Sequence, residues 1–424
     1  MSEIDLIPSL TKWVNSNPTS RREFISKLGK GAFFASFGIF GAGCEAVNRG
    51  LVDRGMLPII FDELQTAGLP KPDMLVHSES PFNGEIPPHF LNDDVTPTHR
   101  HFVRNNNRIP ERAIKSDLNG WKLTVDGEVN KELSLSMEDL LRYPQVTMEV
   151  VLECAGNGRN LFEPKVGGTP WRRGAVACSE WAGVRLRDIL ETAGLKTSAV
   201  YTGNYGDDLP NNGGEPFSRG IPIEKAMDEH TLIALKMNGE VLPAAHGFPA
   251  RLIVPGWIGS SMQKWLRRIW VRDRVHDSEK MSGYSYRIPA YPVDPGEIPP
   301  VEDMRIATSL RVKSLITQPM SNQDFGIGKP IRIRGHAWAG ENLIDSVLVS
   351  TDFGVQWKET ELIHSSYKYA WYHWETEIAF SNKGYYEIWA RAYDDKGNVQ
   401  PFNQPWNPKG YLGNMVHRVA VAIE

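Results

Sequence analysis

The sequence predicts an α+β domain followed by an all-β sandwich of immunoglobulin type. Three observations carry this. Between residues 99 and 285, short β-branched runs alternate with helical pieces such as SMEDLLRYP and RLRDILETAG. Residues 286–304, YRIPAYPVDPGEIPPVEDM, then pack five prolines into a stretch with no helical period, which marks a domain boundary. Beyond it, PIRIRGHAW, DSVLVSTDFGVQW, YAWYHWETEIAF and YYEIWARAYDDKGNVQP alternate apolar and polar residues, with turn signals such as Asn382-Lys383-Gly384 among them.

The elements follow in chain order. Residues 1–45 are an address rather than structure. TSRREFISKLGKGAFFASFGIFGAG sets paired arginines, Arg21 and Arg22, before a short apolar stretch ending in small residues, the layout of a twin-arginine export signal. That stretch is too brief to span the roughly 30 Å of membrane hydrocarbon, so a cleaved signal and a periplasmic location are expected. Cys44, after Gly41-Ala42-Gly43, is a candidate for a lipid anchor. Residues 46–98 hold no sustained period and read as an extended arm lying on the domain behind it. Within residues 99–285, Ser136 with Asp139 resembles a helix-start cap and Pro144 marks the stop. Residues 305–424 form the sandwich.

A chain of 424 residues exceeds the roughly 250–300 residues at which single cores stop growing, so at least two domains are expected. Forty-seven basic residues against fifty-one acidic ones give a formal charge of −4. Such a balance leaves no electrostatic footprint for nucleic acid and favours a small ligand or a protein partner. Cys44, Cys154 and Cys178 build no disulfide framework, and none stands in a CxxC or CxxCH arrangement.

The chemistry concentrates at VLECAGNGRN. Val146, Met148, Val150, Leu152 and Cys154 fall on one face of a strand by the period of two, so Cys154 points where core residues point. Ala155-Gly156-Asn157-Gly158 then supplies a turn that permits positive φ, and Arg159 follows as a cation of the kind that lowers a thiol pKa. Three uses of Cys154 stand on pattern alone. It is a buried filler, a nucleophile for which no nearby histidine is nominated, or a soft thiolate ligand of a metal whose other ligands come from a cofactor. His99 and His101 share a strand face in the manner of metal ligands, although packing and hydrogen bonding is the expected role.

LECAGNGR, TPWRRGAVACSEWAGVRLRDIL and MNGEVLPAAHGFPARLIVPGWIGSSMQKWLRRI, with HFVRNN upstream and AWYHWE, AYDDKGNVQP and NPKGYLGN downstream, resemble the ordered molybdopterin-domain motifs of the sulfite oxidase family. The resemblance runs over residues 95–424. It implies a molybdenum–molybdopterin cofactor with Cys154 as the single protein ligand, the other sulfur ligands coming from the pterin dithiolene. It also implies Arg104 and Arg159 in an anion pocket, Trp171 as its aromatic wall, and Asn106, His246, Arg251, Ser261 and Lys264 among the positions that hold the cofactor. The activity implied is oxidation of sulfite to sulfate by an exported homodimer. Electrons are expected to pass to an external acceptor, a c-type cytochrome, because no haem-attachment motif is seen.

Three departures bear on the substrate. Asn106 stands where the family often has histidine, Phe217 in FSRGIP stands where sulfite oxidases place a tyrosine, and Tyr372 in YAWYHW stands where many have an arginine. Loss of a phenol and a charge keeps a sulfane dehydrogenase acting on partner-bound sulfur, or another S-oxide oxidoreductase, open beside sulfite. Arg219 is a candidate to restore the charge. Outside the class stand a cysteine-nucleophile hydrolase and a non-catalytic cofactor-binding module.

Overall fold

The computed structural model describes residues 71, 73–208, 210 and 213–424. The export signal, Cys44 and about half of the arm lie outside the described residues.

The strand that leads to Cys154, Gln145–Glu153, pairs antiparallel along its whole length with Val176–Arg185. Val176–Arg185 pairs in turn with Leu232–Met237, whose other partner is Arg251–Ile253. One sheet therefore carries both the cysteine end and Arg251. A second sheet centres on Leu266–Arg272, parallel to Leu123–Gly127 and antiparallel to Tyr201–Gly206, with Ser218–Pro222 at its edge. It brings the ends bearing Phe217 and Lys264 toward the first sheet. Between the sheets, Met148, Val150 and Leu152 sit in the main apolar core with Val146 and Cys154 packed at its margin, as the period of two requires. Helix Met137–Leu141 opens with a full capping box, Ser136 and Asp139 each accepting from the other's backbone N–H at 3.2 and 3.0 Å.

The C-terminal part is a sandwich of two sheets. Four strands run in the order Lys313–Gln318, Pro330–Trp338, Tyr372–Ala379, Glu361–Ile363. Five run in the order Gln323–Phe325, His417–Ile423, Gly384–Asp394, Ile344–Ser350, Lys358–Glu359. Ile333, Val347, Trp374, Ile388 and Val421 fill the space between them. The Asn382-Lys383-Gly384 turn carries the chain from one sheet to the other.

The structure departs from the sequence reading in three places. The described part of the arm is not irregular: Leu75–Glu79 and Phe82–Glu85 pair, and the second of these pairs with Val103–Arg104. Strands of five and four residues, separated by Pro81, are too short to display a period. The proline-rich stretch is not a plain linker either, since Arg287–Pro289 pairs with Met304–Ile306 and the prolines fill the loop between them. His99 and His101 share no strand face. Pro97 starts a 3-10 turn at Thr98–Arg100, which leaves His101 buried against Phe102 and His246.

Buried histidines set the acid stability. His417 accepts from the Ile316 amide at 2.8 Å through Nδ1, and His276 accepts from Arg272 at 3.1 Å through Nδ1. His336 Nε2 meets the Leu91 carbonyl at 2.6 Å while its Nδ1 is buried without a partner. Burial holds all three below the usual imidazole range, His276 at about 4. Native pKa values below the unfolded value of about 6.5 mean that the unfolded chain takes up protons first as pH falls. Stability is then present above that value and lost progressively down to about pH 4, each one-proton difference contributing about 1.4 kcal/mol per pH unit. Urea unfolding at successive pH values should show midpoints falling steadily over this window; midpoints flat from pH 7 to 4 would refute the assignment.

Candidate active site

The end of strand Gln145–Glu153 delivers Cys154 to a cleft lined also by Arg104, Asn106, Phe217, His246, Arg251 and Lys264. Cys154 N donates to the Ala175 carbonyl at 2.9 Å, fixing the chain where the strand ends. Gly158 takes φ +86° to close the turn, which demands glycine there, and Gly156 packs against the Arg159 guanidinium. Cys178 differs from Cys154: it is fully buried, and burial drives its thiol pKa far up, so it offers no thiolate.

Cations crowd the cleft. Arg104 donates to Asn106 Oδ1 at 2.7 Å and to Asn83 Oδ1 at 3.2 Å. Lys264 donates to Asn105 Oδ1 and to the Ala245 carbonyl at 2.9 Å, and lies 4.3 Å over the Trp265 ring. Arg251 donates to the His246 carbonyl at 3.0 Å and lies 5.2 Å over Trp181. Lys71 Nζ lies 2.6 Å from His246 Nε2 and donates to the Thr98 and His101 carbonyls, each at 2.8 Å. Burial lowers the pKa of Lys71 to about 7 and of Arg251 to about 9, and holds Lys264 well below the lysine range. Repulsion among Arg251, Arg104 and Lys71 adds to the effect on Lys264. Asp208, whose pKa burial raises, opposes it only in part.

A group of positive side chains costs folding energy unless an anion neutralises it. Buried polar atoms without partners ring the same cleft: His101 Nε2, Asp208 Oδ1, Arg251 Nε, Ser260 Oγ and Gln263 Oε1. Together they fit a ligand that is anionic and rich in hydrogen-bonding atoms, as a pterin with its phosphate is. Among the described residues, no group of three or more His, Cys, Asp or Glu is placed to hold a metal ion. A metal held by Cys154 would draw its other ligands from the cofactor.

Not every residue expected at the site reaches the cleft. Arg159 is tied to the Lys409 carbonyl at 3.1 Å and the Thr169 carbonyl at 3.0 Å, 5.4 Å over the Tyr411 ring, one layer behind the lining. Trp171 is wholly buried, edge-on to Phe102 at 6.4 Å; Phe102, not Trp171, lines the cleft. Ser261 lies buried beside Ser260, which does line it. Tyr372 borders a separate small cavity with Val151, Trp338 and Tyr369. Arg219 is buried behind the lining, donating to the Lys280 carbonyl at 3.1 Å. Sequence reasoning missed Asp208, Gln263, Trp265 and Tyr286 in the lining and Lys71 beside His246, while His101, expected to pack and hydrogen-bond, does so and also lines the cleft. Trp265 and Gln263 flank Lys264 and were available by proximity. Lys71 and Tyr286 lay in segments dismissed as arm and linker.

The fold and cleft define a molybdopterin-binding oxidoreductase architecture. The family model described as oxidoreductase molybdopterin binding domain matches residues 109–280, and that described as Mo-co oxidoreductase dimerisation domain matches residues 304–424. Mitochondrial sulfite oxidase of Rattus norvegicus is 34% identical over 372 residues, covering 83% of this chain and 66% of the relative. Sulfite oxidase of Gallus gallus is 32% identical, covering 82% and 77%. The crystal structure of the sulfane dehydrogenase SoxCD from Paracoccus pantotrophus superposes with a TM-score of 0.69 at 29% identity, covering 80% of this chain and 85% of that one. The chain belongs to the sulfite oxidase family and carries its molybdenum–molybdopterin cofactor domain. It spans 66% of the length of the rat relative.

Proposed function

We propose that the protein is an exported molybdenum oxidoreductase that oxidises sulfite to sulfate and passes the electrons to an external c-type cytochrome. The reaction consumes sulfite and water and yields sulfate, two protons and two electrons. When bound, the cofactor supplies the oxygen-atom transfer and the two-electron redox change. Cys154 would hold the metal through its thiolate. Arg104 sets fixed positive charge toward the anion, while Phe102, Phe217 and Trp265 keep water from its apolar side. His246, Arg251 and Lys264 would hold the pterin and phosphate.

The observation that carries this reading is the convergence of Cys154, Arg104 and Lys264 on one cleft whose buried polar atoms lack partners. The sulfite oxidase relatives support the substrate, and the matched dimerisation domain supports a homodimer. Arg21 and Arg22 in SRREFI support periplasmic export through the twin-arginine route. A second reading, oxidation of sulfur carried on a partner protein, draws support from the likeness to a sulfane dehydrogenase and from Phe217, which brings no hydroxyl to the cleft.

Elemental analysis of exported protein, combined with stopped-flow mixing of sulfite-treated enzyme and oxidised c-type cytochrome, tests the proposal. Stoichiometric molybdenum with rapid, sulfite-dependent haem reduction is expected. Protein without molybdenum would sink the central claim; molybdenum without sulfite-dependent reduction would reject sulfite and favour the second reading.

A further inference from the structure

We propose that His101 is a further cofactor-binding residue, accepting a hydrogen bond from an N–H of the pterin ring system through its Nε2. The inference rests on the molybdopterin reading of the cleft and is independent of the substrate.

One contact decides the tautomer. His101 Nδ1 lies 3.0 Å from the Phe102 carbonyl oxygen, and a carbonyl only accepts, so Nδ1 carries the proton and Nε2 keeps a lone pair. A second proton is favoured only by that hydrogen bond. Burial opposes it, as do the charges of Lys71, Arg251 and Lys264, and together they hold the imidazole well below its usual range. His101 is 1% exposed, and its Nε2 meets no partner among the described residues although the side chain lines the cleft. A buried acceptor left unmatched is costly, which marks it for a donor.

The surroundings fix the ring. It stacks on Phe102 at 5.2 Å and 19°, meets Trp181 edge-on at 6.0 Å and lies 4.8 Å from the His246 ring. Lys71 donates to the His101 and Thr98 carbonyls at 2.8 Å each, pinning the backbone at both ends of the 3-10 turn. Lys71 thus serves as a positioning residue, through which the arm holds His101 in the wall.

Chemistry selects the group that Nε2 would meet. Phosphate oxygens bring lone pairs and suit the donors Arg251 and Lys264, but they repel an unprotonated nitrogen. A reduced pterin also presents amine and amide N–H groups, which call for acceptors. Three of the partnerless atoms in the lining accept: His101 Nε2, Asp208 Oδ1 and Gln263 Oε1. The cleft therefore carries two complementary sets, and His101 belongs to the one that matches the ring rather than the phosphate.

His101→Phe keeps an aromatic ring and removes the lone pair, whereas His101→Gln retains an acceptor oxygen. The loaded full chain and both variants are incubated in buffer and sampled by gel filtration, and the pterin still bound is measured by its fluorescence after oxidation. The same chains made without cofactor are compared by thermal melting. The expected result is about tenfold faster pterin release from His101→Phe, the worth of one hydrogen bond, with release from His101→Gln near the parental rate and equal melting of the cofactor-free chains. Parental release from His101→Phe overturns the proposal. Equally fast release from both variants overturns it too, since restoring an acceptor would then have restored nothing. If His101→Phe does not fold, His101→Leu is held to the same expectations. A parent chain purified without pterin overturns the cofactor reading and this inference together; a loaded parent beside an unaltered His101→Phe overturns this inference alone.

Discussion

Cys154→Ser is expected to yield a folded protein that has lost more than the roughly 100-fold typical of changes to residues supporting a metal ligand. The exchange is nearly isosteric, the side chain sits at the margin of the core rather than within it, and the Cys154 amide still reaches the Ala175 carbonyl. Folding should therefore survive. What changes is donor chemistry: a thiolate is soft and anionic near neutrality, whereas a serine hydroxyl stays protonated and hard. The visible absorption of the oxidised enzyme, to which a Cys154 thiolate bound to the metal would contribute charge transfer, should shift together with the loss of turnover. A cysteine nucleophile would behave differently, losing turnover with metal content and spectrum intact. Retention of parental kcat would remove Cys154 from the chemistry altogether.

How much of this was legible depended on the range of the interaction. The face of Cys154 followed from a period of two over nine residues, and the capped helix at Ser136 followed from side chains three positions apart. Local rules decide such features. The cleft itself is a meeting of strand ends: Arg251 arrives through pairing with Leu232–Met237, and Lys264 precedes the central strand of the other sheet. Their motifs were recognisable, but no local rule states which of their neighbours face inward.

Arg159 shows that limit. Adjacent to the turn in sequence, it spends its guanidinium on the Lys409 and Thr169 carbonyls, and the first of these lies 250 residues away. Tyr286 shows the converse, since proline density hid a strained residue that completes the wall. Tyr372 was weighed as a missing charge, yet its strand turns it toward Val151 and Trp338 in a different cavity. The substrate question therefore passes from Tyr372 to Phe217.

Lys313→Met should destabilise the protein by about 3–5 kcal/mol, the range for removing one partner of a buried ion pair. Glu153, the residue before Cys154, is 3% exposed and spends its carboxylate on Lys313, on Trp338 Nε1 at 2.8 Å and on Asn157 Nδ2 at 2.9 Å. Lys313 and Trp338 belong to the sandwich, Asn157 to the cysteine turn. The carboxylate thus bolts the second domain to the loop that carries Cys154. Burial lowers the Lys313 pKa even though Glu153 pulls it up, so desolvation outweighs the attraction and the pair adds little net stability of its own. Losing the lysine alone is costly because it leaves a buried carboxylate without its counter-charge. Chemical denaturation should show the lowered midpoint, and molybdenum retention should fall with it as the turn loosens. Adding Glu153→Gln to Lys313→Met removes the orphaned charge while keeping an acceptor for Trp338 and Asn157, so the double variant should recover most of the loss. An unchanged midpoint for the single variant, or a double variant worse than additive, would contradict a charge-driven bolt between the domains.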